Sequence, residues 1–324
     1  MILSRRQALL GIGAAFATGL AACHRSETGE PGVVRLGYLP TVTHAPVIVG
    51  VASGRIARAI APLVLETRVF RGGPAVVEAL LSRSIDLGTS GPAPVVITQA
   101  RYGDGTLEID SGCGSGGASL VLRKGLAIAS GAELRGKSLA SAQLGSTQDV
   151  SLRKYLRANG LGSVESGGDV RVFAFANATI LAELRQGQLD GAWVPEPWPT
   201  RMIAQIGATR FLDERDLWPN RRFSASLVVS RPSFRASRNA DLAAVVAAIQ
   251  NEIELAKRHP KGTRDAAFAA IDELTGAGPK DIFDEAWTKV EFDKDPLKEA
   301  ILTLANDAKS LGLLLQVPNA SLFV

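Results

Sequence analysis

The sequence predicts an α/β protein of two similar lobes that face each other across a cleft and are joined by a two-crossing hinge. Three observations carry this expectation. Strand-like and helix-like segments alternate along most of the chain, the pattern of sheets covered by helices. Two stretches 104 residues apart, Leu80 to Pro94 and Leu184 to Trp198, share one plan: the end of an amphipathic helix, a turn closing on an apolar and an acidic residue (Ile85-Asp86, Leu189-Asp190), a brief strand, and a Pro-bearing turn that opens another helix. The same offset lays Thr43-His44 over Thr147-Gln148. Two segments then read as crossings, Leu107 to Leu122 with its run of glycines and Arg222 to Ser230 with its Ser and Val.

Taken in order, Val33 to Tyr38 reads as the first strand, and a helix from about His44 to Ser53 ends at Gly54, a residue suited to a left-handed C-terminal cap. Leu63 to Phe70 is alternating and β-branched enough for a second strand, and Gly72-Gly73-Pro74 opens a helix to about Ser82. Asp86 to Ser90 is a third strand, and Gly91-Pro92 starts a helix through Tyr102. In the second lobe, Gly136 to Ala140 begins a strand, Gln148 to Ala158 is a helix stopped by Asn159-Gly160, Val170 to Phe175 is a strand, and Asn177 starts a helix to Arg185. From Asn239 onward, four helical stretches (through His259, Thr263 to Leu274, Pro279 to Trp287, Pro296 to Leu311) are expected to pack on the first lobe. The expected organisation is a discontinuous first lobe, 33–118 and 224–324, holding a second lobe, 119–223, with largely parallel sheets in both.

The N-terminus reads as targeting rather than structure. Arg5-Arg6 precede an acid-free Gly/Ala-rich run to Ala22 that is short for a membrane span, similar to a twin-arginine export signal, and Leu20-Ala21-Ala22-Cys23 is similar to a lipobox whose thiol is acylated. Residues 1–22 are thus expected to be a lipoprotein signal, 23–32 a tether, and Cys23 the point of lipid attachment. Without residues 1–22, which hold two arginines and no acid, the formal charge falls from +4 to +2, leaving no basic stripe for nucleic acid. Cys113 then has no intramolecular partner, so packing rather than disulfides must stabilise an exported fold.

Catalytic signatures are absent from the sequence: there is no G-x-S-x-G elbow, no metal-spaced His or Cys cluster, no Walker A motif and no dinucleotide fingerprint. Neither a catalytic residue nor a metal nor a cofactor is expected, which leaves binding. Helices beginning near Thr43, Gly91, Thr147 and Asn177 would aim free backbone N–H groups at the cleft, joined by Ser90, Ser146 and Gln148, an arrangement suited to a small oxyanion. At any one position the same Ser, Thr or Asn serves as an N-cap, so only their convergence is informative. His44 fits a ligand contact or a buried cap. Trp198, in a stiff turn after two prolines, is a candidate wall, whereas Trp193 suits a core strand.

At this point a resemblance emerges. Gly37-Tyr38-Leu39-Pro40, Thr43-His44-Ala45-Pro46, Gly91-Pro92, Gln143 to Val150, Asp190 to Trp198 and Asp216 to Pro219 resemble the substrate-binding lipoproteins of ABC importers for aliphatic sulfonates, taurine and nitrate, over about 33 to 320. The sulfonate type is indicated chiefly by Thr43 to Pro46 and Trp193 to Trp198. The resemblance implies a type II periplasmic-binding-protein fold, closure of the lobes on one solute, and delivery by a monomeric, exported, membrane-anchored protein to an ABC permease. It implies a pocket of His44, Ser90, Gly91, Pro92, Gln143, Thr147, Gln148, Asn177, Glu196 and Trp198, taking an aliphatic sulfonate or a taurine-like organosulfonate. Nitrate or another small anion, a pyrimidine or thiamine precursor, or a sensory role without transport are the alternatives. Leu39 stands where relatives often have an aromatic residue and Val42 where they often have Asn. Glu196 would repel a bare anion unless it is structural or meets an amine.

Overall fold

The structure, a computed structural model, describes residues 32–276 and 278–324. The expected export signal, Cys23 and all of the tether but residue 32 lie outside the described residues. β1 (Val33–Tyr38) passes through a 3-10 turn into α1 (Ala45–Ala52) and the short α2 (Arg55–Ala59), followed by β2 (Val64–Val69), α3 (Gly73–Leu81), β3 (Leu87–Ser90) and α4 (Pro92–Tyr102). β4 (Glu108–Gly116) and β5 (Ala118–Leu122) come next, then β6 (Ser138–Ser141), α5 (Thr147–Ala158), β7 (Arg171–Ala174), α6 (Asn177–Gln186), β8 (Gly191–Pro195), α7 (Trp198–Ile206) and β9 (Thr209–Asp213). β10 (Ser224–Ser230), α8 (Pro232–Arg258), α9 (Pro260–Thr275), α10 (Lys280–Trp287), β11 (Val290–Glu291) and α11 (Lys298–Ser310) complete the chain. Among the described residues no helix is long and apolar enough to cross a membrane.

Two sheets result, ordered β11-β4-β10-β3-β1-β2 and β7-β6-β8-β5-β9. Apolar clusters fill both faces of each: α1, α8, α9 and α10 on one face of the first sheet and α3, α4 and α11 on the other, α5 on one face of the second and α6 and α7 on the other. The sheets are mixed rather than largely parallel. In each, three parallel strands (β2-β1-β3, β7-β6-β8) meet an antiparallel strand that borders a crossing (β10 beside β3, β5 beside β8). A strand arriving from the other lobe needs no crossover helix on this sheet, so nothing obliges it to run parallel.

The repeated apolar and acidic pair has one physical job in both lobes. Asp86, 1% exposed, accepts from the Arg35 backbone N–H (2.9 Å) and from its guanidinium (3.1 and 2.7 Å), fixing β1 against β3. Asp190 accepts from the Ser138 N–H (3.0 Å), fixing β6 against β8. An arginine just beyond the antiparallel strand supports each carboxylate: Arg231 after β10 reaches Asp86 at 3.8 Å, and Arg123 after β5 reaches Asp190 at 3.1 Å. Ile85 and Leu189 are both buried.

Leu107 to Leu122, expected as a crossing, holds two strands belonging to different sheets. The chain changes sheet at Gly116-Gly117, where φ is +78° and +72°. A side chain at Gly117 would also meet Val290 at 2.5 Å, so glycine is required there twice over. The return passes through residues 214–223. α8 starts seven residues before the expected Asn239, because Pro232 opens a first segment that kinks at Arg238 (φ −143°, ψ 45°). The later helices reach both lobes: Lys154 of α5 pairs with Asp307 of α11, and Arg201 of α7 donates to the Gly276 carbonyl at 3.0 Å.

The return crossing is anchored by a buried carboxyl. Glu214 accepts from Ser151 Oγ and Trp193 Nε1, both at 2.6 Å, and among the described residues no cation pairs with it. Burial pushes its pKa up to about 7. A folded-state value above the unfolded one means that the associated stability is fully present below about pH 4.5 and is lost as pH rises through about 7. Wild-type protein is therefore expected to lose roughly 2–4 kcal/mol more stability than Glu214→Gln between pH 4.5 and 8, measured by denaturant unfolding at each pH. Asp110, raised to about 6, and Asp213 and Asp293, both lowered, are common to the two proteins and cancel in the difference. Parallel pH profiles would refute this role.

Candidate functional site

The loops that follow the parallel strands of both lobes converge on one cavity of about 60 Å³. From the first lobe come Leu39, Thr41, Thr43 and His44 after β1, Arg71, Gly72 and Gly73 after β2, and Gly91 and Pro94 after β3. The second lobe supplies Ala142, Gln143, Ser146, Thr147 and Gln148 after β6, Asn177 after β7 and Pro195 at the end of β8. Ligand sites at the C-terminal ends of parallel strands are the rule in such sheets, because helix N-termini cluster there. The lobes touch across the cavity. Ala93 N–H donates to Thr147 Oγ1 at 3.3 Å and Val42 N–H to the Glu196 carbonyl at 3.4 Å.

His44, Gly91, Gln143, Thr147, Gln148 and Asn177 line this cavity together. His44 is 2% exposed, bonded through Nδ1 to Thr89 Oγ1 at 2.8 Å, and burial lowers its pKa to about 3, so its imidazole is neutral. Thr147 opens α5, whose N-cap Ser146 accepts from the Asp149 N–H at 3.3 Å. Asp149 folds back to accept from the Gly145 N–H at 3.0 Å and is paired with Arg153 at 3.0 Å. It holds the turn with its charge already matched. Asn177 opens α6, and its Oδ1 is buried without a hydrogen-bond partner.

Ser90, Pro92, Glu196 and Trp198 lie outside the cavity lining. Ser90 is fully buried and donates to the Gly91 carbonyl at 3.2 Å. Pro92 is the first residue of α4, and Pro94, two positions on, lines the cavity instead. Glu196 is 0% exposed and accepts from Thr200 Oγ1 (3.0 Å), Thr200 N–H (3.3 Å) and Arg210 Nη2 (2.9 Å). Desolvation raises its pKa and the Arg210 charge works against that rise. Its carboxylate is thereby spent inside the second lobe. Trp198 is half-buried against the second lobe's core, with the Arg201 guanidinium 5.2 Å from its ring.

Two features of the site escaped the sequence reading. Arg71, exposed two residues beyond the end of β2, is the only charged residue lining the cavity, and among the described residues no carboxylate pairs with it. Its signal was available as a lone arginine immediately before Gly72-Gly73-Pro74. The second concerns donors. α4 offers few, because Pro92 and Pro94 have no N–H and the Ala93 N–H is taken by Thr147. The free N–H groups come instead from the first turns of α3, α5 and α6. Cys113 plays no part: it is fully buried and burial pushes its thiol up to about 12, leaving no thiolate for chemistry.

The family model described as NMT1-like matches residues 27–271. No curated protein matches the sequence. Among solved structures, the alkanesulfonate-binding protein SsuA of Xanthomonas axonopodis pv. citri bound to MOPS superposes with a TM-score of 0.76 at 19% identity, covering 92% of this chain and 99% of that one. The periplasmic aliphatic sulphonate binding protein SsuA of Escherichia coli gives 0.70 at 18% identity (89% and 90% covered), and the periplasmic nitrate-binding protein NrtA of Synechocystis PCC 6803 gives 0.74 at 15% identity (88% and 82% covered). The fold is the two-lobed fold of periplasmic binding proteins.

Proposed function

The chain belongs to the NMT1-like family, and on that premise we propose that it is the solute-binding component of an ABC importer, taking a small organic anion with a sulfonate head into the interlobe cleft. The observation that carries this reading is the one-signed field of the cavity: Arg71, a neutral His44, and the N-termini of α3, α5 and α6, with no acidic residue lining it. Helix N-termini and an unpaired guanidinium favour an oxyanion, while burial of Thr43, Ser146 and Thr147 supplies short-range hydroxyl donors. His44, Gly91, Gln143, Thr147, Gln148 and Asn177 contact the solute, and Ser90, Pro92, Glu196 and Trp198 frame them. Closure of the lobes retains the solute, and a membrane permease receives it; the protein performs no catalytic step. Export through the twin-arginine segment and a lipid at Cys23 would keep it at the outer face of that membrane.

Nitrate is the second reading, favoured by the small volume. A cavity of about 60 Å³ holds only about four to six water-sized groups. Titration calorimetry of the purified protein against methanesulfonate, ethanesulfonate, sulfate, nitrate and hydroxymethylpyrimidine separates the readings. A short sulfonate is expected to bind most tightly. Arg71→Ala is expected to weaken it by about tenfold or more, since a charge-assisted hydrogen bond is worth roughly 1.5–3 kcal/mol. Binding of nitrate with no response to any sulfonate would replace this reading with the second.

A further inference from the structure

The anion-binding reading fixes one end of the solute; the cavity also constrains the other. Of the two second-lobe carboxylates beside the cleft, Glu196 is consumed by Arg210 and Thr200 with no exposure to the cavity, and Asp149 is consumed by Arg153 and the Gly145 N–H. No acidic side chain lines the cavity, and the one formal charge in its lining is Arg71. An ammonium group there would lose its water without gaining a counter-charge, which is costly. Yet the lining of the cavity includes one residue with an acceptor in want of a donor. Asn177 lines it, and Asn177 Oδ1 is buried with no hydrogen-bond partner. Asn177, the first residue of α6, lines the cavity from the second lobe, and Arg71, on the β2–α3 loop, lines it from the first. An unmet buried acceptor penalises any ligand that leaves it empty.

We infer that the site selects a compact monoanion whose far end carries a neutral hydrogen-bond donor such as a hydroxyl, with Asn177 as the specificity-determining residue, and that it discriminates against ammonium-bearing zwitterions of the same size. Arg71 and the helix N-termini take the anionic head, and Asn177 Oδ1 accepts from the hydroxyl. This rests on the sulfonate reading above, so the test uses probes that share the sulfonate head and differ only at the far end.

Three near-isosteres suffice: 2-hydroxyethanesulfonate, 1-propanesulfonate and taurine, titrated into the purified protein by calorimetry. The hydroxyl compound is expected to bind about tenfold tighter than propanesulfonate, and taurine weaker than both. In Asn177→Leu the advantage of the hydroxyl over propanesulfonate should shrink to less than about threefold. Asn177→Asp, which places a carboxylate where the acceptor stands, should raise taurine relative to the hydroxyl compound. Taurine binding as tightly as the hydroxyl compound in the wild type would overturn the inference while leaving the sulfonate reading intact. So would an unchanged hydroxyl advantage in Asn177→Leu. Failure of all three sulfonates, with nitrate or another anion bound, would overturn the sulfonate reading itself.

Discussion

Gly91→Val is expected to weaken solute binding by about a hundredfold while leaving each lobe folded. Gly91 sits at φ −69° and ψ 159°, a backbone conformation open to any residue, so the substitution introduces no local strain. The obstacle lies in the opposite lobe. A Cβ at position 91 would fall inside contact distance of Thr147 Oγ1 and 3.4 Å from Thr147 Cβ, and the two γ-methyls of valine would extend further into the second lobe. Thr147 cannot yield easily, since it is the first residue of α5, 3% exposed and bonded to the Ala93 N–H. Overpacking of this kind costs roughly 1–3 kcal/mol, and the cost falls on the closed arrangement alone. Apparent affinity falls in proportion to the population of the competent state, so about 3 kcal/mol becomes about two decades. Gly72 provides the contrast. Its missing Cβ would meet Gln143 Oε1, the far end of a flexible side chain that can swing away, so Gly72→Ala should cost no more than the Gln143 contact and stay within about tenfold of wild type. Calorimetry gives the affinities, and solution scattering with solute present should show Gly91→Val remaining more extended. Wild-type affinity in Gly91→Val would mean that solute is not held in this closed arrangement.

Asp86→Ala is expected to destabilise the protein by about 3–5 kcal/mol, against about 1 kcal/mol for Asp190→Ala at the matching position of the other lobe. Both carboxylates do the same work, pinning a neighbouring parallel strand through its backbone N–H. They differ in surroundings. The Asp86 side chain is 1% exposed and faces Arg231, itself 9% exposed, so its loss strands a buried guanidinium whose pKa desolvation already lowers. The Asp190 side chain is 20% exposed and its Arg123 partner 34%, so water can replace the lost pair. Denaturant midpoints of the two variants should separate clearly. Equal shifts would show that burial does not set the cost.

Much of this was legible in the sequence because it depends on short-range signals. Ser146-Thr147 announces a helix start whichever lobe it serves, and the Gly116-Gly117 pair announces a place where only glycine suits the backbone. The repeat at an offset of 104 residues marked the strands and turns that meet at the cleft, and the structure adds the reason for its invariant Asp. The mixed sheets and the two lobe contacts of the later helices were not legible, because strand direction and helix docking are settled by partners far along the chain. The same limit explains Glu196 and Trp198. Their local setting, a Pro-bearing turn opening a helix, matches that of Gly91-Pro92, but Glu196 is satisfied by Arg210 on β9 and Trp198 covers the second lobe's own core.

The sequence by itself determined the two-lobed plan, the hinge glycines and the helix starts that face the cleft, since each is written in residues adjacent along the chain. Tertiary structure alone decided which polar groups stay available to a solute. Availability is a matter of whether a polar group finds a partner elsewhere: Glu196 finds one in Arg210, while among the described residues the exposed Arg71 has no ion-pair partner and the buried Asn177 Oδ1 no hydrogen-bond partner. That difference, invisible locally, gives the cavity a single sign of charge and one unmet acceptor.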